Sequence, residues 1–230
     1  MDTSPILNFE WHIPNLLATG GKPDTMPKLN WLINNGIENI VSLDPIPDLI
    51  HKAIFGQCGW MRVNREDAET NEDTRKDIAR FIGGCLAFES PVFVHCSAGI
   101  KLSSGIVREF LLRKDQHIAR YLALRANDLN HGDDFDWFRG HSAFCGDRLN
   151  KAISSLERMM SSDNPDISGS SADTLIELME HAGGDNCFNQ EGIKALKRLL
   201  PKASKIVFAQ SPKFKKQVRE IIAQFKAVTK

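Results

Sequence analysis

Apolar and polar positions along the chain predict short strands that alternate with helices. A β-branched run, Val92 to Val94, stops at His95 and Cys96 and passes through a small-residue loop that contains Gly99. An apolar helix pattern begins at about Ser103. We therefore predict a strand, a tight loop and a helix here, with a cysteine at the turn.

The segments before that strand predict further elements of an α/β fold. Residues 1–21 are typical of one or two short strands broken by turns, and the polar run 64–75 is typical of a loop. Spacing and composition predict a helix over 24–35 capped by Gly36, a buried strand over 37–43, a short helix over 49–55, a strand over 60–63 and a helix face from 78 to 88.

The second half of the chain is predicted to be mostly helical. Helical patterns cover 117–127, 133–160, 173–181, 190–200 and 212–228, with Pro201 expected to end the fourth. A cluster of Ser, Asn, Asp, Pro and Gly over 161–171 indicates a linker or long loop. We expect one α/β domain over 1–160, the linker 161–171, and a helical C-terminal extension over 172–230.

Composition and charge limit the classes of binding partner and the cellular location that we expect. Lys plus Arg and Asp plus Glu both total 29, so a net charge of zero argues against nucleic acid and anionic membranes as partners. No apolar run is long enough to span a bilayer, and no signal-peptide pattern begins the chain. The five cysteines have no metal-like spacing, and neither do the histidines outside the loop, so we expect reduced thiols in a cytoplasmic protein without metal or cofactor.

The turn at Cys96 has a specific chemistry. Successive N–H groups of a loop that opens into a helix form a nest for anions, and the helix dipole adds partial positive charge. The same field favours the thiolate of Cys96 over the thiol. The sequence therefore predicts a phosphate-sized anion site beside an activated sulfur.

The run from His95 to Ile100, followed by Ser103, resembles the signature loop of cysteine-dependent protein tyrosine and dual-specificity phosphatases, His-Cys-x-x-Gly-x-x-Arg-Ser/Thr. Residues 11–23 also resemble the opening of the small atypical dual-specificity type. The resemblance covers roughly residues 5–140. It implies a central, mostly parallel sheet with helices on both faces.

The resemblance also implies roles for individual residues. Cys96 would be the nucleophile with His95 behind it, Ser103 would stabilise the sulfur as a leaving group, and Asp67 would be the general acid, with Glu66 and Glu69 nearby. The phosphate-binding residues would be Ser97, Ala98, Gly99, Ile100, Lys101 and Leu102. An acidic run such as the one around Asp67 is usually a solvated loop.

One position departs from the signature, because Leu102 stands where the family has its arginine. Two interpretations follow. The first is a catalytically impaired pseudophosphatase that binds a phosphorylated protein or another phosphate monoester. The second is an active phosphatase, compensated by Lys101 or Arg108, that acts on phosphoprotein, an RNA 5′ phosphate or phosphoinositide.

A third interpretation places the function in the C-terminal helices. These would bind a protein partner while the loop is a relic. The last helix is amphipathic and basic, which is also typical of a helix that packs its apolar stripe on its own domain.

Overall fold

The computed structural model describes residues 4–55, 57–127, 146–182, 188–210 and 215–229. The chain forms two compact units, residues 1–117 and 118–230. Several sequence predictions concern residues outside the described ranges: the helical pattern over 133–145, the start of the last helix at 212–214, Cys145 and Cys187, and the histidines at 131 and 141.

A five-stranded sheet is the centre of the first unit. Its strands are β1 (Glu10–Ile13), β2 (Leu17–Gly21), β3 (Asn39–Ser42), β4 (Gly59–Arg62) and β5 (Val92–Cys96), in the order β1-β2-β5-β3-β4. β1 and β2 form an antiparallel hairpin, and every other pair is parallel. This confirms the predicted α/β class with a mostly parallel sheet. The carboxyl ends of β2 to β5 meet at one edge, where ligands of such sheets usually bind.

The described helices of the first unit are α1 (Met26–Asn34), α2 (Asp48–Phe55), α3 (Arg65–Thr70), α4 (Glu72–Ala87) and α5 (Leu102–Leu112). α6 (Lys114–Asn127) begins at the end of the first unit, and most of its residues belong to the second. Apolar residues of α1 and α2 pack in one core cluster with Ala18, Ile40 and Phe93, which share a face of the sheet. α4 and α5 also contact β5. Since β5 is buried along its whole length, both of its faces are covered.

The polar run 64–75 is helical, although the sequence predicts a loop there. It contains all of α3 and the start of α4. Asn71 separates the two helices, and its side-chain oxygen accepts hydrogen bonds from the N–H groups of Asp73 and Thr74. Acidic residues in the first turn of each helix are stabilised by the helix dipole, and the buried Ala68 anchors α3.

The second unit is helical, with α7 (Asp147–Met159), α8 (Pro165–His181), α9 (Gln190–Gln210) and α10 (Lys215–Val228). α8 contacts each of the other three. Residues 165–171, expected in a linker, form the first turns of α8, because Asn164 caps the helix and Pro165 suits its first position.

α9 continues through Pro201, so the prediction that this proline ends the helix is wrong. Buried apolar residues lie on both sides of the proline, namely Leu199, Leu200, Ala203 and Val207. We attribute the continuation to their packing, which outweighs the lost backbone hydrogen bond. Among the described helices, none has both the length and the apolarity needed to cross a bilayer.

Candidate functional site

Cys96 is the last residue of β5, and its side chain is surrounded by hydrogen-bond donors. The hydroxyl oxygen of Ser103 lies 3.3 Å from Sγ, and the N–H of Gly99 donates to Sγ over 3.3 Å. Burial raises the pKa of the Cys96 thiol, but the Ser103 hydroxyl and the N–H groups of Ser103, Gly99 and Ala98 lower it, and the net pKa is below the ordinary value. The loop therefore favours a thiolate, the nucleophilic form of cysteine.

The loop packs against the end of β2 through close backbone contacts. Gly99 has a φ of +74°, and a Cβ at this position would lie 2.2 Å from the carbonyl carbon of Gly20. Ala98 bridges to Gly21, and its carbonyl accepts a hydrogen bond of 2.8 Å from the Asn8 amide. Glycine is required at position 99 both for its backbone conformation and for this close approach.

A carboxylate that no motif in the sequence indicates contacts the start of the loop. Oδ2 of Asp44 accepts the N–H of Ser97 at 2.6 Å and the Ser97 hydroxyl at 3.0 Å, and Asp44 is only 7% exposed. Asp44 lies two residues beyond Ser42, the last residue of β3, so it belongs to the same edge of the sheet as Cys96. Its place just after a buried strand was the one signal in the sequence.

Arg65 brings a positive charge to this carboxylate. Its Nη1 lies 3.5 Å from Asp44 Oδ2, and its Nε lies 3.0 Å from Glu69 Oε1. The hydrogen bond to Glu69, followed by the negative charges of Asp44, Glu69 and Cys96, raises the pKa of the Arg65 guanidinium above its ordinary value. The charges of Arg65 and Cys96 thus influence one another, and no motif in the sequence indicates Arg65.

His95 precedes Cys96 in β5, and its role behind the nucleophile stays a prediction. It is fully buried, and its Nε2 lies 2.7 Å from the hydroxyl of Ser42, which also accepts a hydrogen bond from the Trp60 indole. Burial lowers the pKa of His95 to about 4, so the imidazole is neutral at physiological pH. His95 therefore fixes the end of β5 and adds no charge to the site.

The position of the family arginine carries no charge. Leu102 is the first residue of α5 and is partly buried, while Ile100 and Lys101 are exposed, Ile100 by 60%. Arg108 is exposed further along α5. The N–H groups of Ile100 and Lys101 have no acceptor among the described residues, so they are available to a bound anion.

Asp67 lies in α3 and is exposed. Within the described ranges its carboxylate makes no hydrogen bond or ion pair. Glu66 is exposed as well, and Glu69 holds Arg65. Among the charged residues of α3, Arg65 is therefore the one that contacts take to the loop of residues 96–101, which we call the Cys96 loop. The general-acid role of Asp67 stays a prediction.

Cys58 and Cys96 are free thiols, and the described residues contain no group of three or more His, Cys, Asp or Glu that could hold a metal ion. No protein-family model matches the chain, and no curated protein matches its sequence.

Proposed function

We propose that the protein binds the phosphoryl group of a phosphorylated protein, or of another phosphate monoester, at the Cys96 loop and hydrolyses it slowly or not at all. It would then be a catalytically impaired relative of the dual-specificity phosphatases in a cytoplasmic setting. The observation that carries the proposal is the convergence of backbone and hydroxyl donors on Cys96, beside a position, Leu102, that has no charge.

Anion binding is supported by hydrogen-bond donors that the fold already holds in place. Three N–H groups and one hydroxyl already stabilise negative charge on Sγ. The loop that carries these donors packs closely against β2 at Gly99, and the N–H of Ser97 is held by the carboxylate of Asp44. Preorganised donors of this kind bind anions well, because little entropy is lost when the ligand arrives.

Slow turnover is supported by the missing guanidinium. Phosphoryl transfer depends almost entirely on positioning and on charge stabilisation in the transition state. An aliphatic side chain at position 102 supplies neither, and the exposed ammonium of Lys101 is a point charge rather than a planar fork. The loss of one preorganised donor typically lowers turnover about 10²–10³-fold.

Turnover of a small aryl phosphate tests this proposal. We expect no turnover that depends on Cys96 in the native chain, measured against Cys96→Ser. Leu102→Arg should raise turnover by roughly 10² or more, because it restores a guanidinium. Alkylation of Cys96 in the Leu102→Arg protein checks that the loop still folds. Native turnover that disappears in Cys96→Ser would contradict the proposal.

An active phosphatase is the second candidate, and the lowered pKa of Cys96 together with the Ser103 contact favours it. In that reaction Sγ forms a bond to phosphorus, the ester oxygen leaves with a proton from the Asp67 carboxyl, and water then cleaves the phosphocysteine. The substrates would be phosphoprotein, an RNA 5′ phosphate or phosphoinositide. Lower turnover in Asp67→Asn would support this candidate, and the lack of any phosphoenzyme on rapid acid quench would contradict it.

A further inference from the structure

We propose that Arg65, from the first turn of α3, supplies the cation that holds a phosphate group over the Cys96 loop. The inference rests on the proposed phosphate-binding function. It gives this site a guanidinium that comes from the β4–α4 connection rather than from position 102.

A short chain of contacts joins Arg65 to the loop. Nη1 of Arg65 lies 3.5 Å from Oδ2 of Asp44, and the same oxygen lies 2.6 Å from the backbone nitrogen of Ser97. Ser97 follows Cys96 directly. The guanidinium is therefore two contacts away from the backbone of the loop that would bind the anion.

The strand order explains why these residues meet. β3 lies between β5 and β4, and all three are parallel, so Asp44 after β3 is flanked by Cys96 at the end of β5 and by Arg65 just beyond β4. Residues that are far apart in sequence thus share the carboxyl edge of the sheet. Such an edge is the usual place for a ligand in an open α/β sheet.

The negative charges of Asp44 and Cys96 at the carboxyl edge of the sheet also require a cation before a phosphate group can bind there. Asp44 is a nearly buried carboxylate beside the loop, and Cys96 favours its thiolate. Without a positive charge, both would repel a phosphate dianion. The guanidinium of Arg65 is held by Asp44 and Glu69 through Nη1 and Nε.

The guanidinium of Arg65 is also accessible to a ligand. Its side chain is 51% exposed, and Nη2 makes no hydrogen bond or ion pair within the part of the chain that the structure describes. Two acidic side chains orient the planar group through Nη1 and Nε, so the N–H groups of Nη2 are left for an incoming oxyanion. Lys101, the other cation of the loop region, is exposed and lacks such orienting contacts among the described residues.

Calorimetric titration with inorganic phosphate tests the inference on the full chain. We expect Arg65→Gln to weaken phosphate binding about ten- to a hundredfold, the usual effect of losing a charge-assisted hydrogen bond. Arg62→Gln should stay within about twofold of the native affinity, since small surface electrostatic effects are of that size. Arg62 is a matched control, because it is an exposed arginine at the end of β4.

The outcomes separate this inference from the proposed function. If the native chain binds phosphate and Arg65→Gln binds equally well, or Lys101→Gln shows the larger loss, the inference is wrong and the proposed function stands. If the native chain does not bind phosphate, both fail. If Asp44→Asn restores full binding to the Arg65→Gln protein, Arg65 acts only by neutralising Asp44, and direct contact with the anion is contradicted.

Discussion

At the scale of single residues, the state of the Cys96 sulfur depends on Ser103. The Ser103 hydroxyl lies 3.3 Å from Sγ and is the largest of the contributions that lower the pKa of the thiol. The serine is fully buried and belongs to the first turn of α5. Its hydroxyl therefore favours the thiolate directly, in addition to the backbone donors of the loop.

Ser103→Ala is expected to raise the pKa of Cys96, because one donor to the thiolate is lost. The rate of iodoacetamide alkylation of Cys96 at pH 7 should fall at least about tenfold, since a hydrogen bond to a charged group contributes ~1.5–3 kcal/mol. Ser104→Ala is the matched control, because the Ser104 hydroxyl donates to the Gly99 carbonyl and not to sulfur. Equal rates for the two variants would show that the hydroxyl does not tune the thiol.

At the scale of elements, the loop and β2 fit together through glycine. The sequence places Gly99 in the loop and two glycines, Gly20 and Gly21, at the end of β2. The structure stacks these backbones so closely that no Cβ can enter at Gly99. The shape of the anion-binding loop is therefore set by a strand that is distant in sequence.

Gly99→Ala should destabilise the first unit by more than ~2 kcal/mol, because it adds a clash with Gly20 and a strained positive φ. Gly105→Ala is the control in the neighbouring helix. A Cβ at Gly105 meets open space, and alanine should stabilise α5 by ~0.5–1 kcal/mol. Urea unfolding followed by tryptophan fluorescence measures both. A Gly99→Ala protein as stable as the native one would contradict the close approach of the loop to β2.

Hydrophobic periodicity predicted most elements, because the sheet and its helices are patterned locally. β5, the Cys96 loop and α5 lie where the pattern puts them, and Gly36 ends α1 with a φ of +85°. α3 was missed because its acidic sequence has no apolar stripe and only Ala68 is buried. The helix across Pro201 was missed because tertiary packing overrides a local signal.

The candidate site was only half predictable for a related reason. Cys96, Gly99 and Ser103 are close in sequence, so one motif reveals them together. Asp44 and Arg65 join the site only after β3 and β4 have been placed beside β5. No spacing rule connects these two residues to the loop, since the connection exists in the sheet order alone.

At the scale of the whole molecule, the buried His95 couples the stability of the sheet unit to pH. Burial lowers the pKa of this imidazole from 6.5 to about 4. The unfolded chain therefore takes up a proton as the pH falls below 6.5, while the folded chain does so only near pH 4. The contribution is present above pH 6.5 and is lost as the pH falls toward 4.

We expect the free energy of unfolding to decrease by up to ~1.4 kcal/mol per pH unit between pH 6.5 and 4 on account of His95, or about 3 kcal/mol in all. In His95→Gln this part of the slope should be absent, while above pH 7 the two proteins should give parallel curves. Urea unfolding at a series of pH values measures the slopes. Identical slopes between pH 4 and 6.5 would contradict the burial of a neutral imidazole.

If the Cys96 loop is an open site for a phosphate group, as we propose, bound phosphate should protect Cys96 from alkylation. Mass spectrometry follows the alkylation of Cys96 in the intact chain at increasing concentrations of inorganic phosphate. Cys58 is the internal reference, because it lies away from the loop. Burial raises the pKa of its thiol. We expect phosphate to slow the alkylation of Cys96 saturably and to leave that of Cys58 unchanged. An alkylation rate at Cys96 that does not respond to phosphate would contradict it.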